Sequence, residues 1–267
     1  QEGSWVFFRL SETGQGATIA RAIKGMIPMG DAQIQRDFER LAGIKRRRAE
    51  IAGDYFSQIA SNWDAVRSLY VPEVEIETAL IEVVGDRGLE ILVDLGTGTG
   101  RILQLFGNRI QRGIGIDSNQ EMLTIARSGL EQKQLSHCQV RKEDLYQLSM
   151  ADQTVDLVTI HHVLHFLDDP QAALFEAARI LRPGGQILIV DFAPHNLEYL
   201  RQESNHRRLG FSNKVITTWC RAAGMKKSDF RSFSLGRQDE GNELTVNLWV
   251  MSRIRTAVRK GRLRAVQ

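Results

Sequence analysis

A chain of 267 residues, 42% hydrophobic and 25% charged, can hold one large domain or a medium domain with an accessory module. No apolar run approaches the roughly 20 residues a membrane-spanning helix needs, and two distant cysteines, Cys138 and Cys220, suit a reducing cytoplasmic setting better than a disulfide framework. The net charge of +3 is concentrated in Arg253, Arg255, Arg259, Lys260, Arg262 and Arg264; without them the balance is −3, so the basic excess marks a tail rather than a nucleic-acid-binding core.

The chain opens on QEGSWVFFRL, without a methionine, and Trp5, Val6, Phe7 and Phe8 read as a strand. Ile19, Ala20, Ile23, Met26 and Ile27 then recur at helical spacing and stop at Pro28. After the PMGD turn, a longer helix from Asp31 to about Ala60 carries Ile34, Phe38, Leu41, Ile51, Tyr55 and Ile59, with KRRR at 45–48 on a solvated face. A helix started by Pro72 runs through Val84.

From GLEILVDLGTGTGR onward, short buried strands alternate with helices: ILVDL, helix 99–109, GIGID, helix 119–130, HCQVRKEDL, VDLVTIHH, helix 170–181, QILIVDF. That order predicts an α/β fold with a doubly wound parallel sheet. DFRSFSLG and ELTVNLWVMS have no helix between them and predict an antiparallel pair closing the sheet. The expected divisions are 1–28, a helical segment over 29–87, the sheet domain over 88–252, and a basic tail over 253–267.

A strand ending in Asp94, followed by Gly96, Gly98 and Gly100 at a helix mouth, lets backbone approach a ligand where a side chain would collide. The dinucleotide fingerprint wants a third glycine at the position held by Arg101. Asp117, closing GIGID, can accept from a ribose diol, Asp144 from an adenine amino group, and Met122 can cover a flat base with its thioether. Together they describe adenosine recognition without a pyrophosphate.

In these residues the chain resembles the class I S-adenosylmethionine-dependent methyltransferases, type 11. The motifs are VDLGTGTGR (93–101), GIGIDSNQEML (113–123), KEDLYQLSM (142–150), VDLVTIHHVLHFLDDP (155–170) and LRPGGQILIVDF (181–192). The resemblance implies a seven-stranded, mostly parallel, Rossmann-like sheet. It also implies that S-adenosylmethionine is held by Asp94, Leu95, Gly96, Thr97, Gly98 and Gly100 on its methionine side. Asp117 and Ser118 would meet the ribose, with Met122, Glu143, Asp144 and Leu145 around the adenine and His161 beside the sulfonium.

Methyl transfer to a hydroxyl, amine or thiol needs a base, and His161, His162, His165 and His195 cluster after the fourth and fifth strands. His161 and His195 lead as candidate bases, while HHVLHF could equally be packing. His195, Arg207, Arg208 and Phe211 could bind an anionic or aromatic acceptor, or fasten their segment to the N-terminal helices. No metal-ligand spacing occurs outside these motifs, so no metal is expected.

The opening strand and the helix at 17–27 resemble the wing and dimerisation helix of an ArsR-type winged helix. Over its whole length the chain is similar to bacterial fusions of such a domain with a methyltransferase, joined through a segment like AGDYFSQIASNWDAVRSLYVPE. That resemblance implies a homodimer through the N-terminal helices, with DNA met only by an upstream part carrying the recognition helix. ATIARAIKGMI holds no metal ligand, so no metal sensing is expected on this helix. Two readings follow: an enzyme methylating a small-molecule acceptor, or a cofactor-sensing domain of a transcriptional regulator with little turnover. A nicotinamide-dependent dehydrogenase is disfavoured by Arg101 and the closing hairpin.

Overall fold

The computed structural model describes residues 14–28, 30–63, 73–234 and 244–254. The QEGSWVFFRL strand, Pro72 and the tail beyond Ile254 lie outside the described residues, and with them the wing of the winged-helix reading; its expected helix at 17–27 is described. The chain divides into two compact units, 1–50 and 51–267, a boundary inside the helical segment expected over 29–87.

In the first unit, α1 (Gly14–Gly25) ends before Pro28 and α2 (Ala32–Ile59) begins at once. Asp31 caps α2: its Oδ1 accepts the Gln33 and Ile34 N–H groups at 2.8 and 3.2 Å. Ile19 and Ile23 of α1, Met26 just after it, and Phe38, Leu41 and Ile44 of α2 are exposed.

The second unit continues through the end of α2, a 3₁₀ turn at Ala60–Asn62 and α3 (Glu73–Val84). Then follow β1 (Leu89–Leu95), α4 (Arg101–Phe106), β2 (Ile110–Asp117), α5 (Gln120–Gln132), β3 (Cys138–Lys142) and β4 (Val155–His161). The remaining elements are α6 (Pro170–Ile180), β5 (Leu181–Phe192), α7 (Tyr199–Glu203), α8 (Asn213–Ala222), β6 (Met225–Ser234) and β7 (Thr245–Arg253). The sheet has seven strands in the order β3-β2-β1-β4-β5-β7-β6, parallel except for β7, which runs antiparallel to both neighbours. This is the expected doubly wound sheet with its closing hairpin.

Both sheet faces are covered, so the central strands are apolar at consecutive positions. Leu92, Leu157, Leu188 and Leu248 pack with Ile76 and Leu80 of α3, Leu103 and Phe106 of α4 and Leu123 of α5. Their neighbours Val93, Val158, Ile189 and Trp249 face the other way, onto Leu174 and Ala177 of α6 and Ile216 and Cys220 of α8. The reversal of strand order falls between β1 and β4, and a crevice opens beyond their carboxyl ends.

Three elements differ from the expectation. The helix expected over 99–109 starts only after Gly100, which is left-handed (φ 80°), and splits into α4 and a 3₁₀ turn at Gly107–Arg109. The sequence reading did not name α7 or α8, the latter capped by Ser212 accepting the Val215 N–H. Among the described residues no helix is long and apolar enough to cross a membrane.

Candidate functional site

The turn from β1 into α4 is built on three left-handed glycines, Gly96 (φ 73°), Gly98 (φ 52°) and Gly100 (φ 80°). A Cβ on Gly96 would lie 2.3 Å from Val163 Cγ2, so the loop is pressed against the segment after β4. Gly96 and Thr97 donate their N–H groups to the Ile116 carbonyl of β2 at 2.7 and 2.9 Å. The Gly98 N–H donates to Asp117 Oδ2 at 2.9 Å, and Asn119 N–H to Asp117 Oδ1 at 2.9 Å. The Asp117 carboxylate thus ties the loop to the end of β2. Burial raises its carboxyl above the ordinary value, while the N–H groups of Asn119, Gly98 and Ser118 pull it down.

Around this loop lies an open cleft of about 760 Å³, mouth included. Asp94, Gly96, Thr97, Gly98, Asp117, Ser118, Met122, Leu145 and His161, all expected from sequence, line it. Asp94 is buried and its Oδ1 accepts the Thr159 hydroxyl at 2.6 Å. Arg101 also reaches the wall, but its guanidinium is held by Glu77 in two 2.6 Å contacts. Two carboxyl groups, Asp94 and Asp117, thus stand on the wall beside an arginine engaged by Glu77.

Other expected residues are not brought to the wall. Leu95 is buried in the core, and Gly100 packs on Ala126. Glu143 accepts the Ser149 N–H and hydroxyl at 2.9 and 2.8 Å, and exposed Asp144 accepts the Tyr146 N–H at 2.9 Å.

His195, the other candidate base, stands apart from the glycine-loop cleft. Its ring lies edge-on to Phe192 at 5.8 Å, its Nδ1 accepts the Leu197 N–H at 3.3 Å, and it does not line the cleft. Burial, then the nearby His165, lowers its pKa. Arg207, Arg208 and Phe211 do not line that cleft either. Arg207 pairs with Asp168, Arg208 donates to the Asp168 carbonyl at 2.9 Å, and Phe211 is buried near Trp219. Arg207 and Arg208 fasten their segment to the β4–α6 loop.

The sequence reading missed the aromatic cap. Phe56 and Trp63, assigned to a joining segment, line the cleft with Phe166. Phe56 stands edge-on to Trp63 at 5.5 Å and to Phe166 at 4.9 Å. Asn119 anchors this cap, since its Nδ2 donates to the Gly53 carbonyl and Ser57 Oγ at 3.0 Å each while its Oδ1 caps α5 through the Met122 N–H. The aromatic density of DYFSQIASNW was the available signal.

His162, ranked behind His161 and His195 among the clustered histidines, lines the cleft beside His161. Its φ of 57° turns consecutive rings toward each other, 4.8 Å between centroids, where an extended strand would send them to opposite faces. Glu73, at the start of α3, brings a carboxylate to the same pair, with ligand atoms of all three within 4.8 Å of one another. Behind them His165 Nδ1 meets Asp191 Oδ1 at 2.8 Å, both fully enclosed. Burial pushes the Asp191 carboxyl up, but the charge and hydrogen bond of His165, with His162 and the Phe192 N–H, hold it below its ordinary value. His206, stacked on this group, is driven down to about 2, first by burial and then by His165. Cys138 and Cys220 are separate and buried, and burial lifts the Cys220 thiol to about 12.

Residues 93–189 match the family model of a methyltransferase domain. The 37.1 kDa protein of transposon Tn4556 from Streptomyces fradiae is 32% identical over 171 residues, covering 61% of this chain and 47% of that protein. UbiE of Shewanella frigidimarina, a ubiquinone/menaquinone biosynthesis C-methyltransferase, is 30% identical over 166 residues, covering 58% and 64%. The methyltransferase YcgJ of Bacillus subtilis is 28% identical over 118 residues, covering 44% and 47%. The YcgJ crystal structure matches with a TM-score of 0.59 at 19% identity, over 67% of this chain and 98% of that one, which shows the class I methyltransferase fold. This chain spans about half the length of the curated relatives it matches.

Proposed function

We propose that the chain is an S-adenosylmethionine-dependent methyltransferase acting on a small-molecule acceptor. The observation that carries this reading is the Asp117–Gly98 hydrogen bond, which sets a ribose-binding carboxylate against a glycine cradle, between Met122 and Leu145. The rest of the wall fits the cofactor as well. Asp94 offers a carboxyl group on the methionine side, Asp117 meets the ribose, and Arg101, engaged by Glu77, stands where the dinucleotide fingerprint wants glycine.

When bound, S-adenosylmethionine supplies a methyl group whose bonding pair leaves with sulfur as an acceptor lone pair forms the new bond. The protein's part is then alignment and exclusion of water. Phe56, Trp63, Phe166 and Leu167 cover the cleft, and His161 stands at its wall to take the acceptor's proton. The acceptor's identity is open to screening: incubation with S-adenosylmethionine and panels of quinols, amines and thiols, with S-adenosylhomocysteine release as readout, tests turnover. Release no faster than in a His161→Ala control for every acceptor would remove the enzymatic half of the reading.

The exposed apolar residues of α1 and α2 support a homodimer through these helices; an ArsR-type regulatory setting rests on the sequence resemblance alone. In that setting cofactor occupancy biases DNA binding by an upstream winged-helix part. Light scattering on the full chain tests the dimer, and a monomer at micromolar concentration would count against it.

A further inference from the structure

We propose that the methyl acceptor is a phenol, a neutral flat molecule whose aromatic ring lies against the cap and whose hydroxyl takes the methyl group. The proposal names the acceptor class of the methyltransferase reading and rests on it.

Asp94, the glycine loop, Asp117, Ser118, Met122 and Leu145 account for the part of the wall assigned to the cofactor. What remains for an acceptor is aromatic and apolar. Phe56 and Trp63 precede α3 and Phe166 follows β4, and Val163, Leu167 and Ile102 complete the apolar lining. Because Phe56 meets both other rings edge-on, at 5.5 and 4.9 Å, the three form one connected surface, which a further ring extends by the same edge-to-face or offset contacts. An aliphatic acceptor would gain burial alone.

The charged residues on the described wall are all engaged within the protein. Glu77 holds Arg101 in two 2.6 Å contacts, Asp94 accepts the Thr159 hydroxyl at 2.6 Å, and Asp117 accepts the Gly98 and Asn119 N–H groups at 2.9 Å each. Outside the cleft, Arg207 and Arg208 are spent on Asp168 and the carbonyls of the β4–α6 loop. A carboxylate, phosphate or ammonium acceptor would give up its hydration to charges already bonded elsewhere, which is costly. A neutral ring loses little. On the acceptor part of the wall the polar side chains are His161 and His162, which suits a site where one or two polar groups orient an apolar ligand.

The same histidines select the kind of hydroxyl. A phenolic hydroxyl has a pKa of about 10 and an imidazolium about 6.5, whereas an alkyl hydroxyl lies near the value of about 15.7 for water. Imidazole is therefore matched to a phenol and not to an alcohol. In the transfer the phenol O–H bond breaks and its proton goes to a ring nitrogen of His161, an oxygen lone pair forms the bond to the methyl carbon, and the methyl–sulfur pair stays on sulfur. Glu73, whose carboxylate lies within 4.8 Å of a nitrogen of each ring, stabilises the imidazolium so formed.

Ligand-observed NMR titration of the full chain, saturated with S-adenosylhomocysteine, tests this with four probes of similar size: phenol, benzoate, benzylamine and cyclohexanol. Benzoate and benzylamine keep the ring but carry charge, and cyclohexanol keeps the hydroxyl but loses the flat ring. Phenol should bind most tightly, by about two- to tenfold over cyclohexanol, the worth of one aromatic pair. Phe166→Leu should lower phenol affinity by a similar factor, and S-adenosylhomocysteine binding by the same variant confirms its folding. Equal or tighter binding of any of the other three probes, no binding of any probe, or unchanged phenol affinity in Phe166→Leu would overturn the phenol assignment. Failure of the parent chain to bind S-adenosylhomocysteine would overturn the methyltransferase reading instead.

Discussion

Asp117 Oδ2 accepts the Gly98 N–H at 2.9 Å, so the carboxylate that ends β2 also fixes the loop that ends β1. Ligand recognition and loop geometry therefore depend on the same side chain. Asp117→Ala should weaken S-adenosylhomocysteine binding by about 1–3 kcal/mol, the worth of a charge-assisted hydrogen bond. Calorimetry checks this, and unchanged affinity would contradict the ribose assignment. Protonation removes the charged acceptor, and burial has raised this carboxyl, so affinity should begin to fall with decreasing pH above the ordinary value of 3.8.

Gly96 is constrained twice, by its φ of 73° and by Val163 Cγ2 at 2.3 Å from the Cβ position. Gly96→Ala should cost about 1–2 kcal/mol for the left-handed backbone and about 1–3 kcal/mol for overpacking. The double variant Gly96→Ala/Val163→Ala should regain only the second part. Urea unfolding of the three proteins separates the two costs, and full recovery would mean that the backbone conformation carries no strain.

The enclosed His165–Asp191 pair predicts acid sensitivity. Because the folded state holds the Asp191 carboxyl low, its stabilisation is present above 3.8 and is lost as pH falls through the folded value. Asp191→Ala should destabilise the protein by about 3–5 kcal/mol at neutral pH and flatten the acid limb of a stability profile. An unaltered acid limb would show that the pair does not govern it.

Trp63 reports on the cleft. Its indole Nε1 lies 3.7 Å from where a Gly98 Cβ would be, so a ligand over the glycine loop must change its surroundings. Tryptophan emission should shift on adding S-adenosylhomocysteine, and Trp63→Phe should abolish most of that shift. A full response in the variant would place the ligand elsewhere.

The sheet and most of its ligand loop could be read from the sequence because their signals are local. Buried strands need consecutive apolar residues, and the close approach of Gly96 to Val163 needs glycine. The cap was harder. Phe56 and Trp63 precede β1 by more than a helix, and only the fold returns them to the cleft through Asn119. Arg207 and Arg208 gave no sign that Asp168 and the carbonyls of the β4–α6 loop would engage them. Nor did His162 reveal a left-handed turn, since no residue type in HHVLHF demands one. His195 followed the fifth strand as expected, yet the chain turns its ring onto Phe192 instead of the cleft.

The central claim is that the cleft at the β1/β4 reversal holds an adenosyl sulfonium and not a dinucleotide. Calorimetric titration of the full chain with S-adenosylhomocysteine and, separately, with NAD tests it most directly. The account predicts saturable S-adenosylhomocysteine binding that Asp117→Ala weakens, and no NAD signal. Tight NAD binding with no S-adenosylhomocysteine signal would contradict it.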